Sequence, residues 1–131
     1  MYITKYNINE FIDGTTMDCS YKGITHIDYI PDNIKYLYCY NNKLTKLPKL
    51  PDSLKDLNCE NNKLTSLPKL PESLLYLDCS CNKLTSLPKL PESLGHLYCY
   101  NNNLPYKVNL DSIKKHNQLI IRKLILSKIC I

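Results

Sequence analysis

The sequence predicts a repeat solenoid, in which successive turns of the chain each add one short strand to a parallel sheet. The first observation is a column of cysteines that stand twenty residues apart. They are Cys19, Cys39, Cys59, Cys79 and Cys99. The second is that Leu or Ile recurs at the same step around each cysteine, as in "LKDLNCENNKLTSL" and "LLYLDCSCNKLTSL". A fixed period of this length is typical of turns that bury a core only by stacking on one another.

The strand within each turn follows from the alternation of its side chains. In Leu57-Asn58-Cys59 the first and third side chains point inward and the second points outward. An inward cysteine acts as a small hydrophobic residue, so we expect the cysteine column to be buried and structural. Parallel thiols in register suit the disulfide torsion poorly, and zinc sites use closely spaced cysteine pairs. We therefore expect neither a metal site nor a cofactor.

The remaining positions of a turn predict how the chain returns to the next strand. The asparagine that follows each strand, as at Asn62, is expected to bond backbone groups of its own and neighbouring turns. The return segment "LPKLP" fixes φ at closely spaced prolines and favours extended, polyproline-type backbone over helix. The predicted convex side is therefore extended.

Both ends of a solenoid need a cap, because a terminal turn otherwise exposes its apolar residues. We divide the chain into an N-terminal cap over 1–13, a solenoid of about five turns over 14–107 and a helical cap over 108–131. Either Asn109 or Asp111 is expected to begin the C-terminal helix. The apolar residues expected to pack against the last turn are Ile113, Leu119, Ile120, Leu124 and Ile125.

The repeated unit L-x-x-L-x-C-x-x-N-x-L resembles the leucine-rich repeat, with Cys in place of one Leu, across about residues 14–105. Its linker "TSLPKLPESL" and its short period resemble the class found in bacterial effector proteins. The Asn-, Lys-, Ile- and Tyr-rich composition resembles repeat proteins of large amoeba-infecting DNA viruses. These resemblances imply a non-catalytic scaffold that binds a protein, and the viral one implies a host factor as its partner.

The candidate binding residues are the outward positions of the strands, which form the concave surface of a solenoid. They are Tyr36, Tyr38, Tyr40, Asp56, Asn58, Tyr76, Asp78, His96, Tyr98 and Tyr100. Tyrosine offers a large amphipathic contact area at low entropic cost, and the acidic residues favour a partner with basic groups. Nucleic acid is disfavoured, because no Lys or Arg accompanies the tyrosines. A solvated sheet with tyrosines favoured only by strand propensity remains open.

Composition bounds the other functions. The chain has 131 residues, a net charge of +5 and lysines spread over repeat positions, which is typical of a solvated single domain. Without a long apolar run or a secretory signal, we expect an intracellular monomer in the cytoplasm, of the host cell if viral. Two alternatives stay open. One is membrane-surface binding through the basic segment 112–131, and the other, less favoured, is an enzyme that uses Cys81 and His96.

Overall fold

The computed structural model describes residues 1–129, with side chains up to Lys128. Residues 130 and 131, which belong to the predicted C-terminal cap, lie outside the described residues. Its strands are β1 (Tyr2–Ile3), β2 (Ile12–Asp13), β3 (Thr16–Asp18), β4 (His26–Ile27), β5 (Tyr36–Tyr38), β6 (Asp56–Asn58), β7 (Tyr76–Asp78) and β8 (His96–Tyr98). Its helices are two 3-10 helices, Ile8–Phe11 and Leu110–Ser112, and α1 (Ile113–Ile129).

One six-stranded sheet organises the molecule, in the order β2-β3-β5-β6-β7-β8. From β3 to β8 every pair is parallel, and each residue pairs with the residue twenty positions later, as Leu57 pairs with Leu77. The predicted solenoid with one strand per turn is therefore confirmed. The convex side between the strands contains only extended segments and turns.

The core is a stack of leucine columns with the cysteines among them. Leu57, Leu77, Cys59 and Cys79 are all completely buried. Cys99 in the last turn is only half-buried, because no further turn covers it. Apart from this end effect, the predicted inward column of cysteines is confirmed.

Asparagines tie the turns together at the strand exits. The Asn62 side chain accepts a hydrogen bond from the backbone N–H of Leu44 at 3.0 Å. Its amide group donates to the carbonyls of Cys39 and Cys59 at 3.0 and 3.1 Å. Asn82 makes the same contacts one turn later, with Leu64, Cys59 and Cys79. We call the set Asn42, Asn62, Asn82 and Asn102 the asparagine ladder.

Serines make a second ladder on the convex side. The Ser73 hydroxyl donates to the carbonyls of Asp52 and Leu54 in the preceding turn, at 2.6 and 2.7 Å. Ser53 and Ser93 repeat this arrangement. Because extended backbone leaves its own carbonyls free, these hydroxyls satisfy groups that a helix would have paired internally.

Residues 1–13 cover the first turn in two ways. β1 pairs in parallel with β4, and β2 pairs antiparallel with β3, so that a short hairpin forms the N-terminal edge of the main sheet. Ile3 and Ile8, which belong to this segment, are buried in the core. The sequence did not distinguish helix from strand here, and the structure contains both.

The C-terminal helix packs through its first half only. Asn109, not Asp111, supplies the cap, and its side chain accepts from the backbone N–H of Ser112 at 3.1 Å. The side chains of Ile113, Leu119 and Ile120 are half-buried. The expectation that Leu124 and Ile125 also pack is wrong, since both are more than half exposed. Among the described residues, none of the helices combines the length and the apolar character that crossing a membrane requires.

Candidate binding face

The outward side chains of β3 and β5 to β8 lie in adjacent columns on one face of the sheet, which we call the concave face. The first column is Thr16, Tyr36, Asp56, Tyr76 and His96, and the second is Asp18, Tyr38, Asn58, Asp78 and Tyr98. Strand pairing therefore brings together the residues that the sequence separates by twenty. Tyr40, Glu60 and Tyr100 follow two residues beyond the second column, at the strand exits.

An aromatic cluster occupies the C-terminal half of the concave face. The ring of Tyr76 lies 5.7 Å from that of His96 and 5.8 Å from that of Tyr98. Tyr98 and Tyr100 are 43% and 56% exposed, so their rings remain available for contact. Burial, followed by the charges of nearby carboxylates, raises the pKa of Tyr76, which keeps its hydroxyl protonated.

Asp56 is the charged centre of the face. Its Oδ2 accepts a hydrogen bond from the Tyr38 hydroxyl at 3.2 Å. Its Oδ1 is buried and has no hydrogen-bond partner among the described residues. Burial raises the pKa of Asp56, and the hydrogen bond from Tyr38 opposes this only in part. The pKa of Tyr38 is likewise raised by burial and by the Asp56 charge.

Two of the predicted binding residues, Asn58 and Asp78, each bond the turn that follows their strand. The side chain of Asn58 accepts from the backbone N–H of Glu60 at 3.1 Å, and that of Asp78 accepts from Ser80 at 3.0 Å. Such contacts to the amide two residues later close the turns after β6 and β7. Asp78 is only 7% exposed, so the prediction that it lies on the accessible surface is wrong.

One feature that the sequence did not reveal is the backbone conformation of the residue three positions after the second column. The five residues Tyr21, Asn41, Asn61, Cys81 and Asn101 all have positive φ, between 55° and 57°. Asparagine tolerates this left-handed conformation better than most residues, which explains the column. Tyr21 departs from it, is 71% exposed and packs edge-on against Tyr40 at 5.5 Å. Tyr21 therefore extends the aromatic surface at the N-terminal end.

Cys81 takes its place in this column. Its Sγ is 3.5 Å from the Nδ2 of Asn101, the equivalent residue of the next turn. The ring of His96 lies against that of Tyr76. The Cys81 sulfur thus stands where other turns have an asparagine amide.

The buried cysteines lie in a chemically quiet environment. Burial, with the charge of Asp18, raises the pKa of Cys19 to about 12, and burial holds the pKa values of Cys39, Cys59 and Cys79 well above the usual value for a thiol. The six cysteines that the structure describes are free thiols. Between residues 1 and 129, no group of three His, Cys, Asp or Glu side chains is arranged to hold a metal ion.

The concave face and the rest of the molecule carry opposite charge. The outward positions of the sheet include Asp18, Asp56, Glu60 and Asp78 and contain no Lys or Arg, although the chain as a whole is +5. Exposed lysines such as Lys63 and Lys83 lie beyond the strand exits. A positively charged group is therefore attracted to the middle of the sheet and repelled at its border.

These features define a leucine-rich-repeat solenoid, a fold that suggests a protein–protein interaction module. A family model described as Leucine Rich Repeat matches residues 73–97. No sequence among curated proteins matches the chain.

Two solved structures are similar to the chain in both sequence and fold. YopM from Yersinia enterocolitica WA-314 is 38% identical with a TM-score of 0.68, and the match covers 71% of this chain and 21% of that one. A Shigella effector leucine-rich-repeat domain is 33% identical with a TM-score of 0.70, and the match covers 76% of this chain and 46% of that one. The chain therefore spans less than half the length of either, and the expected similarity to the repeat class of bacterial effectors is confirmed.

Proposed function

We propose that the chain is a non-catalytic protein-binding module whose concave face anchors a basic side chain of the partner at Asp56. The half-buried, incompletely satisfied carboxyl of Asp56 carries this proposal. A carboxylate oxygen that is buried without a donor is costly for a fold, and most such groups are satisfied. A cation of the partner that approaches the exposed part of the Asp56 side chain offsets part of that cost through its charge.

The surroundings of Asp56 favour arginine as the anchored side chain. Tyr36 and Tyr76 flank Asp56 in its own column, and Tyr38 lies diagonally across. A guanidinium group can bond a carboxylate and stack on tyrosine rings at the same time, which an ammonium group does less well. We expect apolar partner residues on either side, against Tyr98, Tyr100 and the exposed ring of Tyr36.

The setting of this interaction is part of the proposal. The free cysteines support a reducing, intracellular compartment, since disulfides form mainly in oxidising ones. The resemblance to effector repeats supports a partner from a host cell.

The first prediction is that Asp56→Asn weakens binding without weakening the fold. Peptides selected on the immobilised chain from a displayed random library should be enriched in Arg or Lys between apolar residues. Asp56→Asn should lower the affinity of a selected peptide by about tenfold or more, the scale expected for removing the charge from a desolvated ion pair. Fluorescence titration measures this loss.

A matched control separates the site from net charge. Glu72→Gln makes the same charge change at an exposed convex position and should leave the affinity unchanged. Because the pKa of Asp56 is raised in the fold, the stability it contributes is present at low pH and lost as pH rises through that pKa. Asp56→Asn should therefore be at least as stable as the wild type at neutral pH. Equal peptide affinity of both variants would refute the Asp56 site.

The same pKa sets the pH dependence of binding. The cation needs the ionised carboxylate, so affinity should fall as pH drops through the raised pKa of Asp56. The decline should begin at a higher pH than an ordinary aspartate would give. In Asp56→Asn this pH dependence should vanish.

Membrane-surface binding through α1 is a second candidate, favoured by its exposed apolar residues. Ile121, Leu124 and Ile125 share one helix face and are 46%, 58% and 52% exposed. Arg122, Lys123 and Lys128 lie among them, as in helices that bind anionic lipid.

If this second candidate holds, the chain should sediment with vesicles that contain anionic phosphatidylserine and much less with neutral phosphatidylcholine vesicles. Replacing Leu124 and Ile125 by Ser should abolish the interaction, because it removes apolar area from the part of α1 that does not contact the solenoid. Replacing the exposed Thr45 and Thr65 by Ser is the control. Equal sedimentation of wild type and the α1 variant would exclude this candidate.

A further inference from the structure

The two edges of the six-stranded sheet differ in their outermost strands. At the N-terminal edge, the outermost strand is β2, which has only two residues and pairs antiparallel with β3. At the C-terminal edge, no strand of the described residues pairs with the outer side of β8. The helix α1 does not cover this edge, because its anchors Asn117 and His116 bond Leu90 and Pro88 on the return side of the turn.

The open edge presents backbone groups that are paired in every earlier turn. The N–H of Cys59 donates to Asp78, and that of Cys79 donates to Tyr98, each at 2.9 Å. The equivalent N–H of Cys99 has no backbone partner within residues 1–129. By the same alternation, the N–H and C=O of Leu97 also point outward. The edge is therefore a template for one more strand.

An apolar groove lies directly beside these groups. It has a volume of about 390 Å³ and is lined by Leu97, Cys99, Leu104 and Val108, with Tyr98 and Tyr106 at its borders. Leu97, Cys99 and Leu104 are only half-buried, whereas Leu77, Cys79 and Leu84, their equivalents one turn earlier, are completely buried. The added strand must therefore also supply inward apolar side chains.

The last turn lacks lysines that earlier turns carry at the same repeat positions. Asn103 stands in the column of Lys43, Lys63 and Lys83, and Gly95 stands in the column of Lys35 and Lys55. From Ser93 to Tyr106 the sequence "SLGHLYCYNNNLPY" contains no Lys, Arg, Asp or Glu, and Lys107 is the one charged residue that lines the groove. Charged residues on an edge strand normally prevent two sheets from joining.

We propose that two copies of this chain associate through β8, antiparallel and about a two-fold axis near Leu97. A second copy fits this edge because identical surfaces that meet must not repel each other, and this one is nearly uncharged. Each copy has one β8 edge, and the two-fold axis pairs it with the same edge of the other copy, so association through β8 stops at two copies. The proposal departs from the monomer expected from the sequence, which did not reveal that the uncharged turn is also the open edge.

The pleat of β8 fixes the register of this dimer. Leu97 must oppose Leu97 of the second copy, so that both side chains point into the joined core and their backbones exchange two hydrogen bonds. His96 then opposes Tyr98 of the second copy on the outward side, as a pair without direct hydrogen bonds between them. The two concave faces become one continuous surface.

Sedimentation equilibrium over a dilution series tests the proposal. The wild type should show a mass of about twice 15.2 kDa at high concentration and dissociate on dilution. Gly95→Lys with Asn103→Lys should raise the dissociation constant by about tenfold or more, because both edges then carry net positive charge and charged edge residues oppose the joining of two sheets. Both changes restore residues found in earlier turns, and a side chain at Gly95 comes no closer than 3.7 Å to the Leu75 carbonyl.

Controls place the interface. Thr45→Lys with Thr65→Lys adds the same charge at exposed positions of interior turns and should leave the dimer intact. Asp56→Asn should leave it intact as well, so that failure here is separate from failure of the concave-face proposal. A monomer at every concentration, or a dimer that the lysines at 95 and 103 do not weaken, would overturn the proposal. If the edge instead binds an extended segment of a different protein, the wild type should be a monomer that binds an extended apolar peptide, and this result would also overturn the dimer.

Cross-linking tests the register directly. In a background with Cys81, Cys99 and Cys130 replaced by Ser, His96→Cys and Tyr98→Cys are made as separate proteins. Opposed residues of this kind have Cα atoms about 4.5 Å apart, within the disulfide range. Mild oxidation should give a disulfide-linked dimer only when the two proteins are mixed. Equal linkage in the unmixed proteins would contradict the register.

Discussion

Replacing Asn62 with Ala should lower the free energy of unfolding by about 3–5 kcal/mol, since several buried backbone groups lose their partners together. The Asn62 side chain bonds the N–H of Leu44 and the carbonyls of Cys39 and Cys59, at distances of 3.0 to 3.1 Å. Asn62 is only 7% exposed, so water cannot replace these contacts without opening the turn. Urea denaturation followed by circular dichroism measures the change.

Two control variants give the scale against which the stability loss of Asn62→Ala is judged. Lys63→Ala alters an exposed side chain next in sequence and should change the stability little. Asn102→Ala should cost clearly less than Asn62→Ala, because Asn102 is half-exposed at the open end and its freed partners can be hydrated. A cost for Asn62→Ala no larger than that for Lys63→Ala would mean that the asparagine ladder does not stabilise the turns.

Asn62→Asp separates hydrogen bonding from shape. The carboxylate keeps the acceptor for Leu44 but has no N–H for the carbonyls of Cys39 and Cys59. Burial and these carbonyls should raise the pKa of the new carboxyl. The variant should therefore gain stability as pH falls, because the protonated acid regains one donor, and lose it as pH rises through that pKa.

Asn117→Ala should detach α1 from the solenoid and cost about 2–4 kcal/mol, because two buried backbone groups lose their partners. The Asn117 side chain accepts from the N–H of Leu90 and donates to its carbonyl, both at 2.7 Å, as a neighbouring strand would. His116 adds a bond to the Pro88 carbonyl at 2.9 Å and one to the Tyr106 hydroxyl at 2.8 Å.

The loss should be local, which hydrogen exchange can show. Amides in 113–129 should exchange faster in Asn117→Ala, while those of β5 and β6 should stay protected. Gln118→Ala, at the adjacent exposed position, should leave both groups unchanged. Uniform loss of protection across all turns would contradict an independently anchored cap.

The repeat period made most of the fold predictable. A column of identical residues twenty apart fixes strand register, inward and outward faces and the buried cysteines, because a one-residue slip would reverse every side chain. The aromatic concave face follows from the same alternation. These features depend on contacts between equivalent residues of adjacent turns, which the twenty-residue period identifies.

The remaining features depend on side-chain contacts that the repeat period does not identify. Alternation predicts that Asp78 and Asn58 point outward, but it does not reveal the bond that each makes to the following turn or that Asp78 is buried. The positive φ shared by Asn61 and Cys81 also comes from that turn. For α1, apolar spacing did not show that Leu124 and Ile125 lie beyond the last turn.

The asparagine ladder also determines the order in which the turns can be completed during synthesis. Each ladder asparagine completes the backbone of the turn before it, as Asn62 does for Leu44, eighteen residues earlier. On the ribosome, a turn therefore emerges with its polar backbone still open and closes only when the next turn has been synthesised. Assembly should then follow translation from the N-terminal hairpin onward, with α1 supplying the final anchor.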